Sequence, residues 1–192
     1  MTNLNLILAS SYSTPRRIME TAGFSFESVV PTVERAINED MTPIDFVVES
    51  ALDNAKSVFK TRPLDIIVGV SSIVTVGGKK MAPPSTDMQA RELLRKLSGF
   101  THRVYSAVAI LSAERQNHFF SDAKVTMCKL DSDTIERYVN TGEAVNSFSG
   151  YYLFGKGASL VETVSGDWYA VAGLPVAKLA KFLSSDYDIE AF

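Results

Sequence analysis

The sequence predicts a single α/β domain over residues 1–192, built as a mixed, twisted sheet with flanking helices and a central cleft. Three observations carry that expectation. Apolar, β-forming runs alternate with segments of helical period, as they do when helices cover a sheet. The second half holds two long β-forming runs joined by a polar loop, the signature of an antiparallel pair. With 192 residues, 46% of them hydrophobic and 21% charged, the chain has the composition of an ordinary globular protein. At that size roughly 70% of the unfolded surface can be buried without a disulfide or metal staple.

The elements follow in order. Leu4–Ala9 reads as a buried strand, and the polar turn Ser10-Ser11-Tyr12-Ser13-Thr14 feeds Pro15, a suitable first helical residue. That helix runs to Ala22 and stops at Gly23. Phe26–Val30 is a second strand. Thr42-Pro43 supplies a cap and first-turn signal for a long helix to about Lys60, with Phe46, Val47, Ala51, Ala55, Val58 and Phe59 on its apolar face. Leu64–Val76 is strongly β-forming and ends at the turn Gly77-Gly78. Thr86 and Gln89 are spaced as a capping box, ahead of a helix whose face is Ala90, Leu93, Leu94 and Leu97 and whose stop is Gly99.

His102–Ser112 and His118–Leu130 are the antiparallel pair. A short helix over Asp133–Asn140 closes at Gly142. Ala158–Val164 and Trp168–Ala172 flank Ser165-Gly166-Asp167 and read as a second hairpin, with Trp168 in the core. A helix from Val176 to Leu183 follows.

Charge and rare residues narrow the function. The formal charge is −3, with 19 Lys+Arg among 22 acidic residues and no basic stripe, so nucleic acid is not an expected partner. The lone Cys128 is expected to be a buried spectator and suits a reducing compartment. With only His102 and His118 and no Cys/His cluster, zinc is not expected, and any metal has to be held by carboxylates. His102 reads as a structural hydrogen-bonder. The apolar run at Leu4–Ala9 is short for a signal segment and no stretch approaches a membrane span, so the expected location is the cytoplasm and no membrane is an expected partner. A homodimer is the expected assembly.

The first turn carries the clearest chemistry. A helix N-terminus offers unpaired N–H groups and the positive end of the helix dipole, so Ser10, Ser13, Arg16 and Arg17 form a candidate phosphate-binding turn. Arginine in a first turn opposes the dipole by about 0.3–1 kcal/mol. Two of them together suggest an anion from outside.

Further motifs accompany that turn. Leu8-Ala9-Ser10 with Ser13-Thr14-Pro15-Arg16-Arg17, then Leu97-Ser98-Gly99-Phe100-Thr101-His102-Arg103-Val104, then Gly166-Asp167 with Val171 and Gly173-Leu174-Pro175, resemble the Maf family of nucleotide pyrophosphatases in order and spacing. Gly69-Val70-Ser71-Ser72-Ile73-Val74 and Thr141-Gly142-Glu143 ahead of Tyr151 add to the likeness. The resemblance implies a fold shared with inosine triphosphate pyrophosphatases. It also implies cleavage of a nucleoside triphosphate (dTTP, UTP or a modified nucleotide) to monophosphate and pyrophosphate, with Mg²⁺ or Mn²⁺ as cofactor.

Departures from the family pattern are as informative. Ser71 stands at the family's catalytic Asp and is read as inert, because a neutral hydroxyl is a weak base and a poor metal ligand. Arg35 stands where a second acid is expected, with Glu34 one place away as the candidate metal ligand. Family lysines align with Asn54, Pro83 and Ser147, Asn146 replaces an Asp, and Phe154 replaces a Gln that reads the base. Two extra residues lie between Ser10 and Pro15. The leading expectation is therefore a Maf-fold protein with impaired or lost catalysis that still binds a nucleotide or phosphate through Arg16, Arg17 and Arg35. The alternatives are a divergent active enzyme that recruits Glu34, Glu39 or Asp40 to a metal, and a scaffold whose old pocket is filled by Phe148, Tyr151, Tyr152 and Phe154.

Overall fold

The computed structural model describes residues 5–192. Leu4 therefore lies outside the described residues, and the first strand, β1, is Leu6–Ala9. The chain continues as α1 (Ser13–Thr21), β2 (Glu27–Val29), α2 (Pro43–Phe59), β3 (Ile66–Val76), β4 (Lys79–Met81), α3 (Asp87–Leu97), β5 (Thr101–Leu111) and β6 (Gln116–Met127). Then come α4 (Ser132–Val139), a 3₁₀ turn (Lys156–Leu160), β7 (Val161–Gly166), α5 (Trp168–Val171) and α6 (Val176–Tyr187).

These strands form one mixed sheet in the order β2-β1-β3-β5-β6-β7, with β4 added to β3. β1 runs parallel to β2 and β3, while β3, β5, β6 and β7 pair antiparallel. The expected antiparallel pair is β5 and β6, in register from Thr101↔Thr126 to Leu111↔Gln116. One edge of β3 is shared by two short strands. β1 pairs with it from Ile66 to Gly69 and β4 from Val74 to Val76, so Val70 to Ile73 face a gap in the sheet. That gap is where the cleft forms.

Local chemistry explains the helix starts. The Thr42 side chain accepts from the Asp45 N–H, and Pro43 occupies the first helical position, where its missing N–H costs nothing. Thr86 likewise accepts from Gln89 N–H, but the Gln89 side-chain Oε1 accepts from the N–H and hydroxyl of Ser85 rather than from Thr86. α2 packs against β3 through Ala51 and Ala55, and Gly69 makes that approach possible. A Cβ at Gly69 would lie 2.2 Å from the Ala51 carbonyl oxygen and 2.6 Å from the Ala55 nitrogen.

Three apolar clusters hold the layers together. One joins α3 and α4 to the far half of the sheet, a second joins α1 and α6 to β1, β3 and β5, and a third seats α2 on the opposite face.

Several expectations need correcting. Trp168–Ala172 is not a strand: Gly166 turns the chain at φ +120, and Asp167 Oδ1 accepts from Tyr169 and Ala170 N–H, which nucleates the single turn α5. β7 therefore pairs with β6 instead of forming a hairpin with its successor. Trp168 is half exposed rather than core, and Cys128 is half-buried. α1 begins at Ser13, so Pro15 is its third residue. α6 runs on to Tyr187, because Leu179 and Leu183 are fully buried and the helix then ends in a left-handed residue, Asp188. No helix among the described residues is long and apolar enough to cross a membrane.

Candidate functional site

The gap beside β3 opens into a cleft of about 1000 Å³. Its walls come from the β1–α1 turn (Ser10, Ser11, Tyr12), the loop before α2 (Glu34, Arg35), α2 itself (Ser50, Asn54), β3 (Ser71, Ser72) and the β4–α3 loop (Pro83, Ser85). Phe148 and Gly173 close the side away from α2. A cavity of this size accommodates a nucleotide-sized ligand. The cleft is open, not filled by aromatic rings as the scaffold alternative requires. Of the four rings named for it, only Phe148 lines the cleft. Tyr151 is buried beneath, and Phe154 is 44% exposed, with its ring 6.3 Å from that of Tyr152 and 5.2 Å from that of Tyr169.

The serine and arginine turn divides. Ser10 reaches the cleft wall and braces the turn: its hydroxyl donates to the Tyr12 carbonyl at 3.1 Å and accepts from Tyr12 N–H at 3.2 Å. Tyr12, at the N-cap of α1, brings no side-chain acceptor to the first turn. Ser13, Arg16 and Arg17 are not among the cleft-lining residues. Arg16 is exposed and pairs with Glu20 at 2.8 Å, one turn along α1. Arg17 stands 6.0 Å from the centre of the Tyr152 ring. Pro15 limits what the first turn can offer, since it has no N–H.

Arg35 does reach the cleft, but not as a free cation. Its Nη1 lies 2.9 Å from Glu49 Oε2, and its Nη2 lies 2.7 Å from Asp53 Oδ2. Glu34, its neighbour, has no ion-pair partner among the described residues and raises the pKa of Tyr12, secondary to the effect of burial. Lys80, buried on β4, donates to the carbonyls of Asn38 and Glu39 at 2.9 and 3.4 Å and so pins the loop that carries both residues.

Asn54, Pro83, Ser147 and Ser71, expected from the sequence to depart from the family pattern, have distinct fates. Asn54 Nδ2 donates to the Val70 carbonyl at 2.8 Å, satisfying a backbone acceptor that the gap in the sheet leaves open. Pro83 adds an apolar wall. Ser147 is buried and donates to the Tyr151 carbonyl at 2.6 Å, a bond doubled by Ser149 at 2.8 Å. Ser71 lines the cleft from β3, within the stretch that faces the gap in the sheet. Glu143 is structural, accepting from the N–H groups of Lys156 and Gly157 at 3.0 and 3.1 Å.

Two features escaped the sequence reading. The extra residues after Ser10 place Tyr12 in the wall, its ring edge-on to Phe148 at 6.3 Å. Ser72 contacts Ser106, its cross-strand partner, at 2.6 Å, and Ser106 donates to the Ala170 carbonyl at 2.6 Å. The strand period does place Ser71 and Ser72 on opposite faces, but nothing in the sequence links Ser106 to α5.

Metal chemistry is poorly provided for. Among the described residues, the one carboxylate lining the cleft is Glu34, and no group of three or more His, Cys, Asp or Glu residues could hold an ion. The remaining oxygens are mostly serine hydroxyls and an amide, weak ligands for a hard dication. The residues present do not fit Mg²⁺ or Mn²⁺.

Comparison with known proteins adds a lineage. A family model described as Maf-like protein matches residues 5–185. The chain is similar to the dTTP/UTP pyrophosphatase of Bacillus cereus (strain G9842), 36% identical over 185 residues that make up 96% of each chain. Its similarity to the dTTP/UTP pyrophosphatase of Bacillus mycoides (strain KBAB4) is 36% over 185 residues, 96% of this chain and 97% of that one. For the Bacillus cytotoxicus dTTP/UTP pyrophosphatase the figures are 37% over 177 residues, 92% and 93%.

Proposed function

The chain belongs to the Maf family, and from that premise we propose that it is a pyrophosphatase homologue whose hydrolysis of nucleoside triphosphates is impaired or lost while its cleft still binds a nucleotide. The observation that carries this reading is the wall of the cleft. It combines one carboxylate, Glu34, with one arginine already held by Glu49 and Asp53.

Cleaving a phosphoanhydride calls for a base or metal to activate water and for cations to take up charge on the leaving pyrophosphate. Loss of a general base costs about 10²–10⁴ in rate and loss of one charge-stabilising donor about 10²–10³. The terms are not additive, but losses of both kinds in one site bring the reaction close to background. Among the described residues Ser71 has no basic partner: no side-chain bond to a histidine or carboxylate supports it as a nucleophile.

Glu34 favours a second reading, a divergent metal-dependent enzyme, since it has no ion-pair partner among the described residues and lines the cleft. Pyrophosphate release from dTTP, UTP and methylated nucleotides, with Mg²⁺ or Mn²⁺, separates the two. The expected result is no release above the uncatalysed rate, from this chain or from Ser71→Asp, together with nucleotide binding that persists in EDTA. Release that disappears in Glu34→Gln would overturn the proposal in favour of the second reading.

A further inference from the structure

Resting on that reading of the cleft as a nucleotide site without hydrolysis, we infer that the cleft grips the uncharged nucleoside portion of its ligand and selects against the phosphate chain. The argument begins with protons that are already committed. Ser106 has one hydroxyl hydrogen and gives it to the Ala170 carbonyl, which can only accept. Across the 2.6 Å contact with Ser106 the donor is therefore Ser72, and Ser72 Oγ keeps only lone pairs for the cleft.

The same logic applies around the wall. Asn54 must turn its Nδ2 to the Val70 carbonyl, which fixes the amide orientation and leaves Oδ1 as an acceptor. Ser85 gives its hydrogen to Gln89 Oε1 at 2.8 Å, and Ser10 gives its own to the Tyr12 carbonyl. Glu34 adds a carboxylate. Ser11, Ser50 and Ser71 have rotors without a fixed partner, and so they take either sense and decide nothing.

Charge points the same way. Glu34 is uncompensated, and Arg35 is outnumbered by Glu49 and Asp53. Lys80 is turned away, onto the carbonyls of Asn38 and Glu39. Phosphate oxygens are acceptors carrying negative charge, and they meet acceptors and net negative charge along this wall. Ribose hydroxyls and the N–H groups of a base are donors without charge. A wall that presents Ser10, Ser72, Ser85, Asn54 Oδ1 and Glu34 matches them.

Calorimetric titration of the full chain with uridine, UMP and UTP, in EDTA at low salt, tests the inference. Uridine is expected to bind about tenfold more tightly than UTP, with UMP between them, since repulsion of a few charges across a partly solvated cleft amounts to about that factor. Raising the salt should narrow the gap by weakening UTP's penalty. Ser72→Ala should weaken uridine about 2–10-fold, the worth of one hydrogen bond, and weaken UTP by a similar factor, since both present the same nucleoside. Glu34→Gln, on an accessible loop where folding is not at stake, should narrow the gap between UTP and uridine to about threefold or less, because it removes the charge that the phosphates meet while the Gln side-chain oxygen can still accept from uridine.

UTP binding more tightly than uridine without pyrophosphate release overturns this inference and leaves the proposed function standing. Pyrophosphate release overturns the proposed function itself. Failure of all three probes to bind overturns both.

Discussion

Arg35 lies against Asp53, with Nη2 2.7 Å and Nε 2.9 Å from the same carboxylate oxygen. Glu49, one helical turn earlier on α2, takes the other arm at 2.9 Å. The arginine expected from the sequence to hold a phosphate is thus shared by two acids of the helix behind it. Releasing it should change what the cleft attracts. Asp53→Asn combined with Glu49→Gln is expected to raise UTP affinity about 3–10-fold in the absence of metal, since each half-exposed pair holds the guanidinium by only about 0.2–1 kcal/mol. Stability should fall by no more than about 1–2 kcal/mol. An unchanged UTP affinity in calorimetry would mean that Arg35 does not address the ligand at all.

Gly69 sets the distance between α2 and β3. With the Ala51 carbonyl oxygen 2.2 Å and the Ala55 nitrogen 2.6 Å from a would-be Cβ, alanine cannot enter without moving the helix backbone. Overpacking of this kind costs about 1–3 kcal/mol. Gly69→Ala should therefore lower the urea midpoint of unfolding. It should also weaken uridine binding, because the shift separates Asn54 from the Val70 carbonyl. A variant as stable as the parent would show that α2 slides freely on the sheet.

The regular elements were legible because their signals are local. Thr42 and Thr86 cap as their sequences imply, and the β5–β6 pair declares itself by two long β-forming runs joined by a polar loop. Where the reading failed, a neighbour decided the outcome. Aromatic and β-branched residues at Trp168–Ala172 suggest a strand, yet the Asp167 side chain captures two N–H groups and turns the segment helical. Arg16 and Arg17 were rightly located on the first helix, but their direction depends on Glu20 and Tyr152, which lie outside the motif. The sense of the Ser72 hydroxyl depends on Ser106 and, through it, on the Ala170 carbonyl, far along the chain.

Lysine should not be equally tolerated at Asn54 and Ser147. Asn54 is partly exposed on the cleft wall, and Asn54→Lys gives up one hydrogen bond to Val70, about 0.5–1.5 kcal/mol, while its ammonium can reach water. Ser147 is buried and tied to the Tyr151 carbonyl. Ser147→Lys has to bury an ammonium without a counterion, and should cost on the order of 3–5 kcal/mol. Denaturant titration of the two variants should rank them that way by a wide margin. Equal stabilities would indicate that the loop around Ser147 opens readily.

His102 offers a test of the core by pH. It is 2% exposed, its Nε2 lies 2.8 Å from the Tyr151 hydroxyl, and its Nδ1 has no partner among the described residues. Burial lowers its pKa from the usual 6.5 to about 4, so the fold holds the ring neutral where the unfolded chain would protonate it. Between those values the unfolded state binds more protons, so stability is fully present above about pH 6.5 and is lost as pH falls toward 4. The loss should be on the order of 3 kcal/mol, at 1.36 kcal/mol for each pKa unit. His102→Gln keeps a polar group for Tyr151 and removes the titration. Urea midpoints from pH 7 to pH 4.5 should fall steeply for the parent and much less for the variant. Parallel declines in the two proteins would place the proton elsewhere and show that His102 is not what the fold loses first to acid.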